Sequence, residues 1–295
     1  MTSPTKARRL GVLGIEGAFA VAAAARELDL AGREVIHLEL GQPDFPSPAH
    51  ATTAGVVALQ ADDAKYTAPA GLPELRTALV GYARDRGIPA ELDNIVVTSA
   101  AKPMLQYALL AAVNPGDDVL IPNIGFPIYP SAVRLAGGNE RPYPLVIKDG
   151  RWQIDVAALE AALTPRTTAI VLNSPHNPSG HVFSRAELET IAQIAIERDL
   201  IVITDDPYEY IIFEGEHIPI ATLPGMAERT VTISSLSKTF SITGWRLGYA
   251  IASPERSVAI RKVHDFLTVG APAPLQDAAA IGYGFPDSYY QGLAD

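Results

Sequence analysis

The 295-residue chain contains no cysteine. Disulfides, thiolate metal sites and cysteine nucleophiles are therefore excluded. Basic runs are missing too: the formal net charge is −10 and the pI is about 5.1. No Lys/Arg stripe offers a track for a phosphate backbone, so nucleic acid is not an expected partner. The alanine-rich segment 18–25 is too short to span a bilayer, and Arg26, Glu27 and Asp29 follow it at once. It fits neither a membrane span nor a signal peptide, so no membrane partner is expected and the cytoplasm is the default setting. His37, His50, His176, His181, His217 and His264 show no spacing suited to a metal, and no metal is expected. They read as surface or loop residues, except His176, whose neighbours place it near the site derived below. Asp62-Asp63 and Asp117-Asp118 read as solvated turn charges. Neither a G-x-G-x-x-G nor a Walker pattern occurs, which removes the usual glycine-based nucleotide cradles.

What is present is an ordinary globular composition, 48% hydrophobic and 19% charged, long enough for one large domain with a smaller partner domain. Apolar β-like runs at 95–98, 119–122, 169–173, 200–204, 230–234 and 247–252 alternate with helical patterns at 102–113, 128–135, 156–163, 185–198 and 255–266. Ser184 followed by Glu187 forms a capping-box pattern ahead of the fourth helix. The alternation predicts an α/β three-layer sandwich, a mostly parallel sheet with helices on both faces. In such sheets ligands sit beyond the carboxyl ends of the strands. The polar segments 99–102, 174–180, 205–208 and 235–238 all fall there. The first part reads differently. Residues 1–35 suggest an amphipathic helix ending at Ala31-Gly32, then a short strand over 35–40, a turn-rich stretch over 41–48 and an irregular segment over 65–71. Pro73 is placed to start the next helix.

Lys238 follows the run 230–234 among small hydroxyls, with Arg246 eight residues later. A lysine amine can form a Schiff base with an aldehyde. Ser235, Ser237 and the fork of Arg246 can hold a phosphate dianion. Alone, the segment is equally a strand, a loop and a surface lysine. Asp205 ends the run 200–204, where a carboxylate can hold a protonated pyridine nitrogen; an isolated Asp there more often caps a turn. Tyr208 and Asn177 can both donate to a phenolic oxygen, and Phe126 can stack on a ring face or serve as core. Ala100 and Ala101, in Ser99-Ala-Ala-Lys102, leave room for backbone N–H groups to reach a phosphate at a helix start.

Together these residues resemble the class I/II aminotransferases, pyridoxal-phosphate enzymes of fold type I. The likeness runs from about Val35 to the end. It is carried by Gly41-Gln-Pro-Asp-Phe, Lys65-Tyr-Thr-Ala-Pro-Ala-Gly, Asn173-Ser-Pro-His-Asn-Pro-Ser-Gly, Asp205-Asp-Pro-Tyr and Ser235-Leu-Ser-Lys-Thr-Phe-Ser-Ile-Thr-Gly-Trp-Arg-Leu-Gly-Tyr. The resemblance implies a pyridoxal 5'-phosphate cofactor on Lys238, which also shuttles the substrate proton. It implies that Asp205 pairs with the pyridine nitrogen, Tyr208 and Asn177 with the phenolic oxygen, and Phe126 with the ring. Ser235, Ser237, Arg246 and the Ala100/Ala101 backbone would hold the phosphate. Tyr66 would reach the phosphate of a neighbouring subunit, giving a homodimer with shared sites, and Gly41 would lie against the substrate carboxylate.

The resemblance also divides the chain into an N-terminal segment 1–46 belonging to a small domain and a cofactor-binding large domain 47–295. Asp206, Pro207 and the Ala100-Ala101 pair depart from the family pattern. The family continues for about 90 more residues, roughly another small domain, and that part supplies the arginine for the substrate α-carboxylate. The expectation is thus a piece of a longer protein, ending inside a helical run over 275–293. The leading reaction is amino transfer between an amino acid and a 2-oxo acid. A β-eliminating lyase and a cofactor-binding fragment without turnover stand beside it. Aspartate, alanine, aromatic and diaminopimelate-like substrates all stay open.

Overall fold

The computed structural model describes residues 7, 10–11, 13–14, 17–61 and 65–294; the pair Asp62-Asp63 lies outside them. Its helices are α1 (Ala18–Leu30), α2 (Ala49–Gln60), α3 (Pro73–Asp85), α4 (Ala101–Ala112), α5 (Ile128–Leu135), α6 (Val156–Ala162), α7 (Arg185–Glu197), α8 (Leu236–Thr239), α9 (Pro254–Thr268), α10 (Ala273–Gly282) and α11 (Asp287–Gln291). Its strands are β1 (Ile95–Thr98), β2 (Asp118–Asn123), β3 (Asn139–Lys148), β4 (Arg151–Ile154), β5 (Thr167–Leu172), β6 (Ile201–Asp205), β7 (Thr230–Ser235) and β8 (Gly248–Ile251).

The eight strands form one sheet in the order β1-β8-β7-β6-β5-β2-β3-β4. Strands β7, β6, β5, β2 and β3 run parallel, while β8 is antiparallel to both neighbours and β4 to β3. The central strands are buried on both faces, so they read as continuous apolar runs. Alternation sends Val171, Ile203 and Ile233 into a core with α4, α5 and α9. It sends Ile170, Leu172 and Val202 the other way, against α7. A third cluster joins β1 and β8 to α3 and α10. The expected α/β three-layer arrangement is what the chain forms.

Strands β3 and β4 were not expected, because Pro142 and Pro144 break the pattern. The sheet tolerates them because β4 pairs with β3 only from Leu145 onward. The Pro144 carbonyl accepts from Asp155 N–H on that outer side, so the N–H that proline lacks would have pointed to the free edge. The expected strand over 35–40 does not form. Ile36 and Leu38 are 84% and 87% exposed, and a lone strand has no ladder to satisfy its backbone. Helix α1 stops at Gly32 as expected, with φ +79°, but it is not amphipathic in effect: Ala25 is its only buried residue. The helical run over 275–293 is two helices broken around Pro286. Asp118 is fully buried rather than solvated. It accepts from Arg141 Nε at 3.1 Å, Asn139 Nδ2 at 3.0 Å and Thr164 Oγ1 at 2.6 Å. His217 and His264 are buried as well as His176, which corrects their surface reading.

The capping box at α7 forms, with Ser184 Oγ and the Glu187 carboxylate serving each other's backbone. Glu187 also accepts from Ile154 N–H and pairs with His181. Burial opposes its charge, but the His181, Ser184 and Ile154 hydrogen bonds prevail and lower its pKa to about 2. A depressed acid stabilises the fold above its unfolded pKa and loses that contribution as pH falls toward the folded one. Glu187→Gln should therefore cost roughly 2 kcal/mol at neutral pH and flatten the loss of stability between pH 4.5 and 2. Urea unfolding at several pH values measures both; an unchanged acid limb would contradict it.

Candidate active site

The carboxyl ends of β1, β2, β5, β6 and β7 deliver the expected residues to one place. Lys238 lies in the one-turn helix α8, directly after β7. Its Nζ is 5.8 Å from the centre of the Tyr208 ring and donates to the Gly41 carbonyl. Gly41, nearly 200 residues away in sequence, is thus brought to Lys238. Burial, with the Arg246 charge behind it, lowers the Lys238 pKa, which favours a neutral, nucleophilic amine.

Asp205 closes β6 and is 9% exposed. It shares the face of Ile203, where Tyr129 of α5 donates to its Oδ2 at 3.0 Å. Its Oδ1 has no hydrogen-bond donor among the described residues. Burial raises the Asp205 pKa to about 7, the Tyr129 hydrogen bond works against it, Asp206 adds to it, and Lys102 reduces it. Asn173 holds this strand end by donating to the Asp205 carbonyl and accepting from Asn177 N–H. Burial and the Asp205 charge raise the Tyr208 pKa, while a hydrogen bond with Asn177 lowers it. Phe126 packs on the core edge-on to Tyr129, 5.9 Å between centres, and Lys102 Nζ lies 5.3 Å from its ring.

The turn into α4 is strained and closely packed. Ala100 has φ +91° and ψ +161°, a region almost reserved for glycine and costing an L-residue about 1–3 kcal/mol. Gly248 packs beneath it, paired with both Thr98 and Ser235. A Cβ on Gly248 would lie 2.4 Å from Ala101 N and 2.5 Å from Ala100 C, so only glycine lets β8 pass this close. Ser235 Oγ is already engaged, donating to Leu247 O and accepting from Ser237 N–H. Ser237 is buried, and Arg246 is exposed with one nitrogen on Thr243 O. Ala100→Gly should relieve the strained turn and raise the unfolding free energy by about 1 kcal/mol after the glycine entropy cost. Denaturant titration tests this; lower stability would show that the turn is not strained.

Tyr66 is 92% exposed and makes no hydrogen bond or ring contact with these groups among the described residues. Sequence reasoning gave no role to Tyr129 or Asn173, and none to the Lys102 side chain. Tyr129 could have been found by its spacing, three residues after Phe126 at the start of a helix.

A buried carboxylate at a strand end, a desolvated lysine, a tyrosine paired with an asparagine and a tight backbone turn at a helix start suit a phosphorylated pyridine aldehyde. Comparison with known proteins agrees. A family model described as aminotransferase class I and II matches residues 33–291. The relative YugH of Bacillus subtilis (strain 168) is 40% identical over 253 residues, 84% of this chain and 64% of that protein. An aspartate aminotransferase of Geobacillus stearothermophilus is 33% identical over 95% of this chain and 72% of its own length. Among solved structures, aspartate aminotransferase from Thermus thermophilus with maleate superposes with a TM-score of 0.92 at 32% identity, over 99% of this chain and 76% of that one. The N-succinyldiaminopimelate aminotransferase of Mycobacterium tuberculosis gives 0.93 at 33%, over 98% and 75%. This chain spans only part of the length of these relatives.

Proposed function

The chain belongs to the aminotransferase class I and II family, whose members use pyridoxal phosphate, and from that premise we propose that it transfers an amino group between an amino acid and a 2-oxo acid. The observation that carries this reading is the convergence of Lys238, Asp205, Tyr208 and Asn177 at the ends of β5, β6 and β7. When bound, the cofactor supplies an aldehyde that condenses with amines and a ring that takes up carbanion charge.

The chain's own residues do the rest. Lys238 Nζ would hold the cofactor and is the amine placed to take and return the proton of the amino-acid Cα. Its desolvation keeps enough neutral amine for that step. Asp205, held by Tyr129, would keep a proton on the ring nitrogen. Tyr208 and Asn177 would donate to the phenolic oxygen, and Phe126 would cover a ring face. The Ala100/Ala101 backbone, Ser237 and Arg246 would hold the phosphate, with Ser235 ordering the α8 turn. Gly41, beside Lys238, lies where a substrate carboxylate would enter. Exposed Tyr66 suits a reach into a second copy of the chain, which supports a homodimer. The relatives described above are named for aspartate and for N-succinyldiaminopimelate, so the amino donor is left at the class of amino acids.

Titrating the cofactor-loaded protein with single amino acids should bleach its long-wavelength absorption and release one 2-oxo acid per site. A second oxo acid should restore the band. Ammonia released continuously without any oxo acid would replace this reading with elimination. A yellow protein that responds to no amino acid would replace it with cofactor binding alone.

A further inference from the structure

Beneath the site lies a buried charged network that the reaction as derived does not use. Asp206 and Glu209 are 3% and 5% exposed, yet neither faces Lys238. Arg86, at the end of α3, places Nη2 2.6 Å from His217 Nδ1. A guanidinium only donates, so Nδ1 must accept and the single imidazole proton sits on Nε2. That nitrogen is 3.6 Å from Asp206 Oδ2. His217 thus sits between the Arg86 guanidinium and the Asp206 carboxyl group. The guanidinium also lies over the rings of Tyr210 and Tyr82, at 5.2 and 5.7 Å.

The network reaches both strand ends that build the site. The Asp206 N–H donates to Ile233 O, and Ser234 Oγ lies 3.0 Å from Asp206 O and 3.1 Å from Glu209 Oε2. Tyr249 Oη donates to Glu209 Oε1 at 3.5 Å. Asp206 follows Asp205 and Ser234 precedes Ser235, so alternation places the network on one face of the sheet and the cofactor residues on the other.

We propose that His217 is a positioning residue: set between Arg86 at the end of α3 and Asp206, it fixes the segment just after β6, which Ile233 and Ser234 tie to β7, so that Asp205 and the Ser235–Lys238 turn present one fixed floor to the cofactor. This rests on the pyridoxal-phosphate reading of the site.

The test uses the cofactor-free protein titrated with pyridoxal 5'-phosphate, followed by absorbance and by thermal unfolding. His217→Leu, which keeps the bulk and removes both nitrogens, should weaken binding on the order of tenfold. It should also shift the pH midpoint of the bound cofactor's absorption. His217→Gln, whose amide can accept from Arg86 and donate to Asp206, should recover most of both. Asp206→Asn keeps the shape without the charge and should reproduce the Leu phenotype in part, which covers the case where His217→Leu does not fold. Variants that are less stable but bind with the wild-type constant and pH midpoint would reduce the network to a purely structural role and overturn the proposal. A wild-type protein that takes up no cofactor would instead sink the reading of the site itself.

Discussion

Lys238→Ala should abolish amino transfer, with kcat falling about 10⁴-fold or more, because one substitution removes both the attachment point and the proton carrier. Nothing else in the site can stand in for it. Asp205 and Tyr208 have pKa values pushed upward by burial, and Arg246 does not give up its proton. Lys102 is the nearest alternative amine, but its nitrogen sits over the Phe126 ring, while Lys238 sits over Tyr208. Borohydride reduction of the loaded wild-type protein should fix the cofactor to the peptide containing residue 238; the alanine variant should give no such adduct. It should still bind cofactor non-covalently, since the phosphate turn and the ring contacts are untouched. Lys238→Arg separates charge from chemistry: it keeps the cation and the reach but offers no neutral amine, so it should be as inactive as alanine. An adduct mapped to Lys102 or Lys65, or wild-type turnover in either variant, would overturn the assignment.

The parts of the fold that were legible in the sequence are those whose signal is local. Strands β1, β2, β5, β6, β7 and β8 are short runs buried on both faces, a pattern that a sequence shows locally. Asp205, Asn177 and Lys238 were legible because each follows such a run at the end where ligands collect. What escaped depends on partners distant in sequence. Strand β3 carries two prolines, and only the late start of β4 pairing makes them tolerable. Residues 35–40 look like a strand, but no neighbour is present among the described residues to pair with them. Asp118 looks like half of a turn pair until Arg141, Asn139 and Thr164 close over it. Arg86 and His217 are 131 positions apart, and neither residue has a local feature that announces the other. Tyr129 drew no notice in the sequence, because nothing local shows that a buried tyrosine 76 positions away sends its hydroxyl to Asp205.

Asp205→Asn should lower kcat about 10²–10³-fold, the usual cost of removing one pre-organised electrostatic partner of developing charge. Asparagine has nearly the same shape, so packing against Tyr129 is preserved. Its amide cannot hold a positive charge on the ring nitrogen, however, and would donate to an unprotonated ring instead. The ring then loses its capacity to take up charge, and proton removal by Lys238 becomes the slow step. The same residue governs the pH response of the cofactor-free protein. Burial lifts its pKa to about 7, against about 3.9 in an unfolded chain. Between those values the folded state binds the extra proton, so stability falls as pH rises from about 4 to about 7. The loss amounts to a few kcal/mol at most. Asp205→Asn removes that slope, so the variant should match or fall below wild type near pH 4 and exceed it near pH 8. Cofactor should reverse the order at pH 8, because the ionised carboxylate that weakens the empty protein is what the ring cation binds. Thermal unfolding of both proteins, with and without pyridoxal 5'-phosphate, reads all four combinations. A wild type whose stability does not fall across that window, or a variant that gains as much from the cofactor as wild type does, would mean that Asp205 does not face the ring nitrogen.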